Sequence, residues 1–253
     1  MLRFENIVFG PVHSRRLGSS LGVNLLPSKG KLCNFDCIYC ECGWNKDGTE
    51  DRKVPRLDEV RGAMENAFSR LAAEGVKIDS ITFSGNGEPT LNPDFPEIID
   101  ITLELRDRYL PGAVVSVLSN ATLAGRKEIA DALKKVDNPI LKIDAPTDKG
   151  AAIVNKPANS LYSIEETVRN LEAFDGNFVL QTMFLKWSGS DSSDPEWIDG
   201  WMRIVRRLKP REIMVYTLDR EAPQKGLEKF TVGQMTELVQ PLIDEGFNIQ
   251  IRG

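Results

Sequence analysis

Three of the four cysteines in this 253-residue chain lie within eight positions, Cys33-Asn34-Phe35-Asp36-Cys37-Ile38-Tyr39-Cys40. Thiolates gathered on one loop are ligands for soft metals, above all for iron in sulfide clusters. A cubane [4Fe-4S] cluster ordinarily takes four cysteines, so a loop that offers Cys33, Cys37 and Cys40 leaves one iron open to a small chelating ligand. An open iron means chemistry as well as electron storage. Two other readings stand beside this one. Zinc usually draws four ligands from two separate knuckles, whereas here every cysteine is in one segment and the single histidine, His13, lies far upstream. A ferredoxin-like cluster could use Cys42 as a fourth ligand, but the one-residue gap after Cys40 strains a cubane whose irons are approached from separate directions. Cys42 is expected to be a spectator thiol.

Other residues could serve a ligand beside such a metal. After the strand-like Ile81-Thr82-Phe83 comes Ser84-Gly85-Asn86-Gly87-Glu88-Pro89-Thr90, where glycine lets backbone approach a ligand and Glu88 offers charge to an ammonium group. The same composition also makes an ordinary turn. Ser119 and Asn120 close the next apolar run and could hydrogen-bond a ribose, though the pair is equally typical of a cap. Lys142 and Asp144 alternate with Leu141 and Ile143, so they share one strand face. They are the candidate catalytic pair, or else two buried charges that satisfy each other. Gln181 and Thr182 are polar residues inside an apolar run and need partners, a bound nucleoside being one candidate. Tyr216 and Leu218 end a further run where, with Tyr39, they offer surface to a planar base. His13 is expected at the surface, and Arg15 or Arg16 suits a carboxylate or phosphate.

The elements that must position these groups are legible as alternation. Apolar, β-branched runs recur at 21–26, 80–84, 114–118, 140–143, 178–184, 213–218 and 248–251, with helix-period segments between them. Leu57, Val60, Met64, Phe68 and Leu71 form one helical stripe that Gly75 terminates. Ser163 with Glu166, and Thr231 with Gln234, have capping-box spacing, and Asp194-Pro195 opens a helix that Pro210 stops. Pro241 is expected to kink the last helix. Strand-helix alternation predicts parallel strands with helices outside. About six or seven such units fall short of eight, so the fold expected is α/β, an open partial (β/α)6-type TIM barrel. A single domain spans 1–253, with 1–20 as a loop over the barrel mouth and 21–253 as the partial barrel. Functional groups should gather at the carboxyl ends of the strands.

Composition is that of an ordinary globular protein, 41% hydrophobic and 27% charged. No run is apolar enough to span a bilayer and the N-terminus lacks a signal-peptide profile, so a cytoplasmic location and no membrane partner are expected. The net charge of −5 argues against a large nucleic-acid footprint. Local clusters such as Arg203, Arg206, Arg207, Lys209 and Arg211 read as solvated helix faces.

The cysteine spacing, with Tyr39 just before the last thiol, resembles the radical S-adenosylmethionine (radical SAM) superfamily. That resemblance implies one [4Fe-4S] cluster whose open iron binds the amino and carboxylate groups of S-adenosylmethionine. Reductive cleavage then gives a 5′-deoxyadenosyl radical that abstracts hydrogen from a substrate. It also implies a role for the 84–90 run like that of the superfamily's Gly-Gly-Glu motif, from which Asn86 departs, and contact of Tyr39 with the adenine. The stretches 10–18 and 21–24, the cysteine loop, 84–90 and Lys142-Ile143-Asp144-Ala145 look like the iron-sulfur oxidoreductases related to the wyosine-base-forming enzymes of tRNA. Those enzymes carry a second cluster on upstream cysteines, and no cysteine precedes Cys33 here. Wyosine synthesis itself is therefore not expected, and Lys142 is the first lysine to test for a Schiff base. No flavin or nicotinamide fingerprint is present, so the electron must come from an external donor such as flavodoxin or ferredoxin. The substrate is not specified by these motifs. An RNA base is the alternative, and a non-enzymatic iron-sulfur or zinc protein is the contrasting class.

Overall fold

The computed structural model describes residues 3–14, 17–47 and 52–253. An antiparallel hairpin comes first, β1 (Val8–Ser14) and β2 (Gly18–Val23). Then follow α1 (Leu57–Ala73), β3 (Ser80–Phe83), α2 (Phe95–Tyr109), β4 (Val114–Ser119), α3 (Lys127–Lys135), β5 (Asn138–Lys142), α4 (Asp148–Val154) and α5 (Ile164–Glu172). The last third holds β6 (Val179–Met183), β7 (Leu185–Trp187), β8 (Ser190–Asp191), α6 (Pro195–Leu208), β9 (Glu212–Tyr216), β10 (Glu228–Lys229), α7 (Val232–Asp244) and β11 (Ile249–Arg252). The main sheet has eight strands in the order β1-β2-β3-β4-β5-β6-β9-β11, parallel throughout except for β1. β1 and β11 are its two unjoined edges, which makes the expected curled half-barrel. β7, β8 and β10 form a separate antiparallel patch.

Each of the seven apolar runs lies on a parallel strand, because fully buried strands carry apolar residues on both faces. Residues pointing outward, such as Ile81, Phe83, Val115, Val117 and Leu141, join one continuous core with the stripe Val60, Met64, Phe68 and Leu71 of α1. Gly75 follows the α1 C-cap with φ +66°, a conformation that only glycine adopts without strain. Thr231 and Gln234 complete a reciprocal capping box, whereas at α5 the Ser163 hydroxyl alone accepts from Glu166 N. Asp194 caps α6 by accepting from Glu196 N and Trp197 N. α7 runs on through Pro241 to Asp244.

Residues 8–14 and 18–20, expected in a loop over the barrel mouth, are instead strand, in β1 and β2. Gly10 and Pro11 read as loop residues, yet they sit in an edge strand at an irregularity between Phe9 and Val12, where a ladder tolerates proline. Gly22 has no side chain where the Phe9 ring lies, and that ring stacks on Phe4 with centroids 3.9 Å apart. His13 is exposed and pairs with Ser19 near the amino end of β2, at the opposite end of the barrel from the mouth. Arg15 and Arg16 lie outside the described residues.

Candidate functional site

The cysteine loop lies across the carboxyl ends of the strands and is pinned there by backbone bonds. Asp36 N donates to Asn155 O at 2.8 Å, Ile38 N to Val154 O at 2.9 Å, and Ala158 N to Asn34 O at 2.9 Å. On its other side Leu32 bridges Gly87, with Leu32 N to Asn86 O at 2.9 Å and Glu88 N to Leu32 O at 3.0 Å. A Cβ on Gly87 would fall 1.9 Å from Leu32 O. Gly87 thus permits the close approach of the cysteine loop and also lines the cavity the cysteines face. Asn45 closes the loop by donating from Nδ2 to the carbonyls of Cys33 and Phe35, both at 3.0 Å.

All four cysteines face one cavity of about 560 Å³, bounded also by Lys31, Glu88, Asn120, Lys142 and Gln181. The sulfurs are met by donors. Phe35 N lies 3.4 Å and Asn120 Nδ2 3.7 Å from Cys33 Sγ, and Asn155 Nδ2 and Lys142 Nζ lie 3.4 and 3.5 Å from Cys37 Sγ. Lys31 is 3% exposed, bonded to Gly43 O at 2.9 Å and Asp36 at 3.2 Å. Burial works against its charge, but Cys40, Cys33, Cys37 and Asp36 outweigh that and raise its pKa. Burial pushes the Cys33 thiol up to about 12. Cys40 is drawn down by a hydrogen bond from Cys42, whose own thiol is raised by the same bond. Buried lysines and N–H donors around clustered sulfurs fit an anionic iron-sulfur group, whose charge they offset. Among the described residues no trio of His, Cys, Asp or Glu closes around a single ion.

The remaining expectations divide. Glu88 is 2% exposed and faces the cavity, but its carboxylate already accepts from Asn120 N at 2.7 Å, Ser119 Oγ at 2.8 Å and Thr90 Oγ1 at 2.7 Å. Burial raises its pKa against the pull of those donors. Ser119 is thus turned to Glu88, and Asn120 donates to Asn34 Oδ1 at 2.6 Å beside Cys33. The Asn86 side chain points away from the cavity and donates to Phe4 O and Pro27 O, both at 2.8 Å. Its cofactor role is corrected to that of an anchor for the N-terminal segment. Thr182 is corrected likewise: on β6 it faces the helices, donating to Ile143 O at 2.7 Å and accepting from Trp201 Nε1 at 3.0 Å. Its neighbour Gln181 faces inward, 7% exposed, with Nε2 lacking a partner among the described residues.

Lys142 and Asp144 do come together, 3.6 Å apart, joined through Tyr39. Lys142 Nζ donates to the Tyr39 hydroxyl at 2.8 Å, and that hydroxyl donates to Asp144 in a very short bond. Burial opposes the lysine charge, but Cys37 and Asp144 more than compensate, so Lys142 is held protonated with its pKa well above 10.5. Tyr216 and Leu218 meet Tyr39 and Met183 around a second cavity of about 450 Å³. Lys31 and Asn155 were not singled out in the sequence. Lys31 had a signal, two residues before Cys33; Asn155, at the end of α4, had none.

The radical SAM superfamily profile matches residues 28–185. A UPF0026 protein of Helicobacter pylori is 31% identical over 221 residues, covering 87% of this chain and 68% of that protein. One from Methanocaldococcus jannaschii is 29% identical, covering 92% and 70%. Streptococcus suis SuiB bound to S-adenosylmethionine shares the fold with TM-score 0.64 at 16% identity, covering 89% of this chain. The chain spans 49% of SuiB's length. TYW1 with a lysine-pyruvate adduct bound also has TM-score 0.64 at 16% identity, covering 92% of this chain and 76% of its own. With the profile covering the cysteine loop and β3 to β6, this chain belongs to the radical SAM superfamily of enzymes.

Proposed function

We propose that Cys33, Cys37 and Cys40 hold one [4Fe-4S] cluster and that its open iron takes the amino and carboxylate groups of S-adenosylmethionine. Together these groups supply a 5′-deoxyadenosyl radical for hydrogen abstraction when the cluster is reduced. The observation that carries the reading is the cavity at the strand ends, where every cysteine of the chain meets two lysines and an unpartnered amide. Lys31 and Lys142 offset the sulfur charge. Gln181 Nε2 needs an acceptor, and a carboxylate oxygen of the bound nucleotide supplies one. Tyr39, with Tyr216 and Leu218, borders the second cavity, where a planar base would lie. Lys142, Asp144 and Tyr39 act as one hydrogen-bonded unit that keeps Tyr39 in place.

The electron comes from an external donor of the flavodoxin or ferredoxin class, in the cytoplasm, where thiols stay reduced. Among the described residues no helix is long and apolar enough to cross a membrane. Arg206, Arg207 and Arg211 are engaged with Glu245, with Glu165 and Glu172, and with Asn177, which supports a substrate other than a long nucleic acid. Anaerobic reconstitution with iron and sulfide, reduction, and addition of S-adenosylmethionine should yield 5′-deoxyadenosine and perturb the cluster's EPR signal. A reconstituted protein that gives neither would sink the proposal.

A further inference from the structure

Asn155 is 2% exposed at the C-cap of α4 and touches the cysteine loop twice. Its carbonyl accepts from Asp36 N at 2.8 Å. Its side-chain nitrogen lies 2.6 Å from Asp144 Oδ2 and 3.4 Å from Cys37 Sγ. An asparagine amide can be turned either way about its last torsion, so which end faces the sulfur must be argued from the neighbours. Here they decide it. Among the described residues the partners of Asp144 are all donors: the Tyr39 hydroxyl, Met183 N at 2.9 Å, Lys142 and the Asn155 amide. A carboxylate accepts only, so Asn155 must present nitrogen to it. That nitrogen carries two hydrogens. One is taken by Asp144, which leaves the other for Cys37.

We infer that Asn155 is a positioning residue for the cluster, its N–H held on the Cys37 sulfur by Asp144 so that the cluster is easier to reduce. The inference rests on the proposed ligation by Cys37. When a cluster gains an electron, negative charge on its sulfurs grows, and a fixed donor stabilises the reduced form more than the oxidised one. No bond is made or broken: the external donor's electron goes to the cluster and the amide keeps its proton. The Asn120 amide stands farther from Cys33 Sγ, at 3.7 Å, so Asn155 presents the closer side-chain amide to these sulfurs.

The test is a redox titration of the reconstituted protein followed by EPR, comparing the parent with Asn155→Leu and Asn155→Ala. Both variants leave the backbone carbonyl that braces Asp36. The reduction equilibrium should become about threefold to tenfold less favourable, a fall of about 28 to 59 mV for a one-electron couple. Resonance Raman should show an iron-thiolate stretch moved to higher frequency, since the donated N–H that weakened that bond is gone. Parent protein that takes up no cluster would defeat the proposed function. Parent protein that takes it up, with the midpoint unmoved in a cluster-loaded variant, overturns this inference alone. So does loss of the cluster in both variants, which would make Asn155 a structural brace.

Discussion

Gln181 is the side chain whose unmet need most directly marks a ligand. A buried N–H with no partner costs about 1–3 kcal/mol, and natural folds seldom leave one without a purpose. Its strand neighbour across β5 is Lys142, so any acceptor at Nε2 also lies beside a protonated ammonium. Gln181→Leu keeps the volume roughly constant and removes the carboxamide, donor and acceptor together. It should weaken S-adenosylmethionine binding to the reconstituted protein about tenfold or more, the value of a hydrogen bond to a charged group. Equilibrium dialysis reads this directly, and equal affinity in parent and variant would assign Gln181 elsewhere. At this scale the sequence was partly legible. The cysteine spacing pointed to the loop, and alternation put Lys142 and Asp144 on one face. Asn86 was misread because an amide's donors serve the chain's own backbone as readily as a ligand. Thr182 was misread because two adjacent polar residues on a strand cannot both face the site.

At the scale of elements, the periodicities carried over well, because a buried parallel strand and an amphipathic helix each write their burial into composition. β1 was an exception, as was the small patch of β7, β8 and β10. An exposed edge strand needs no apolar run, and Val8–Ser14 has none to read. The arginines of α6 lie on an exposed face, as expected, and within it Arg207 clamps α5, meeting Glu172 at 2.7 Å and Glu165 at 2.8 Å. Those hydrogen bonds to Arg207 hold both carboxyls below the usual value of 4.5. The folded chain therefore keeps them ionised where the unfolded chain takes up protons. Their contribution is fully present above about pH 4.5 and is lost as pH falls through the lowered folded values. Arg207→Leu should accordingly flatten the acid limb of urea midpoint plotted against pH, while differing little from the parent at the acid extreme. Parallel limbs would show that the clamp adds nothing, as many exposed ion pairs do.

For the whole molecule, the consequential feature is that apolar packing is divided. One core joins the outer face of the sheet to the helices, from Leu21 through to Leu242. A second gathers Phe35, Cys37, Ile38, Tyr39, Val154, Met183 and Leu185 beneath the cysteine loop. The loop supplies most of that second core yet contains no helix or strand of its own, and it is tied to the barrel chiefly by backbone bonds to 154–158 and to 86–88. Local opening free energies follow such differences in packing and hydrogen bonding, so the loop should open well before the sheet. A cluster bound through three of its cysteines would oppose that opening by mass action, at about 2.7 kcal/mol when the ligand stands at a hundred times its dissociation constant. Hydrogen exchange on cluster-loaded protein, before and after removal of iron by a chelator, separates the two cores. Removal should speed exchange at 33–40 and 154–158 by about a hundredfold at such saturation, while amides of β3 to β6 keep their protection. Uniform acceleration across the sheet would mean that the loop and barrel unfold as one unit. Unchanged exchange at 33–40 would mean that the thiols hold nothing whose loss the loop can feel.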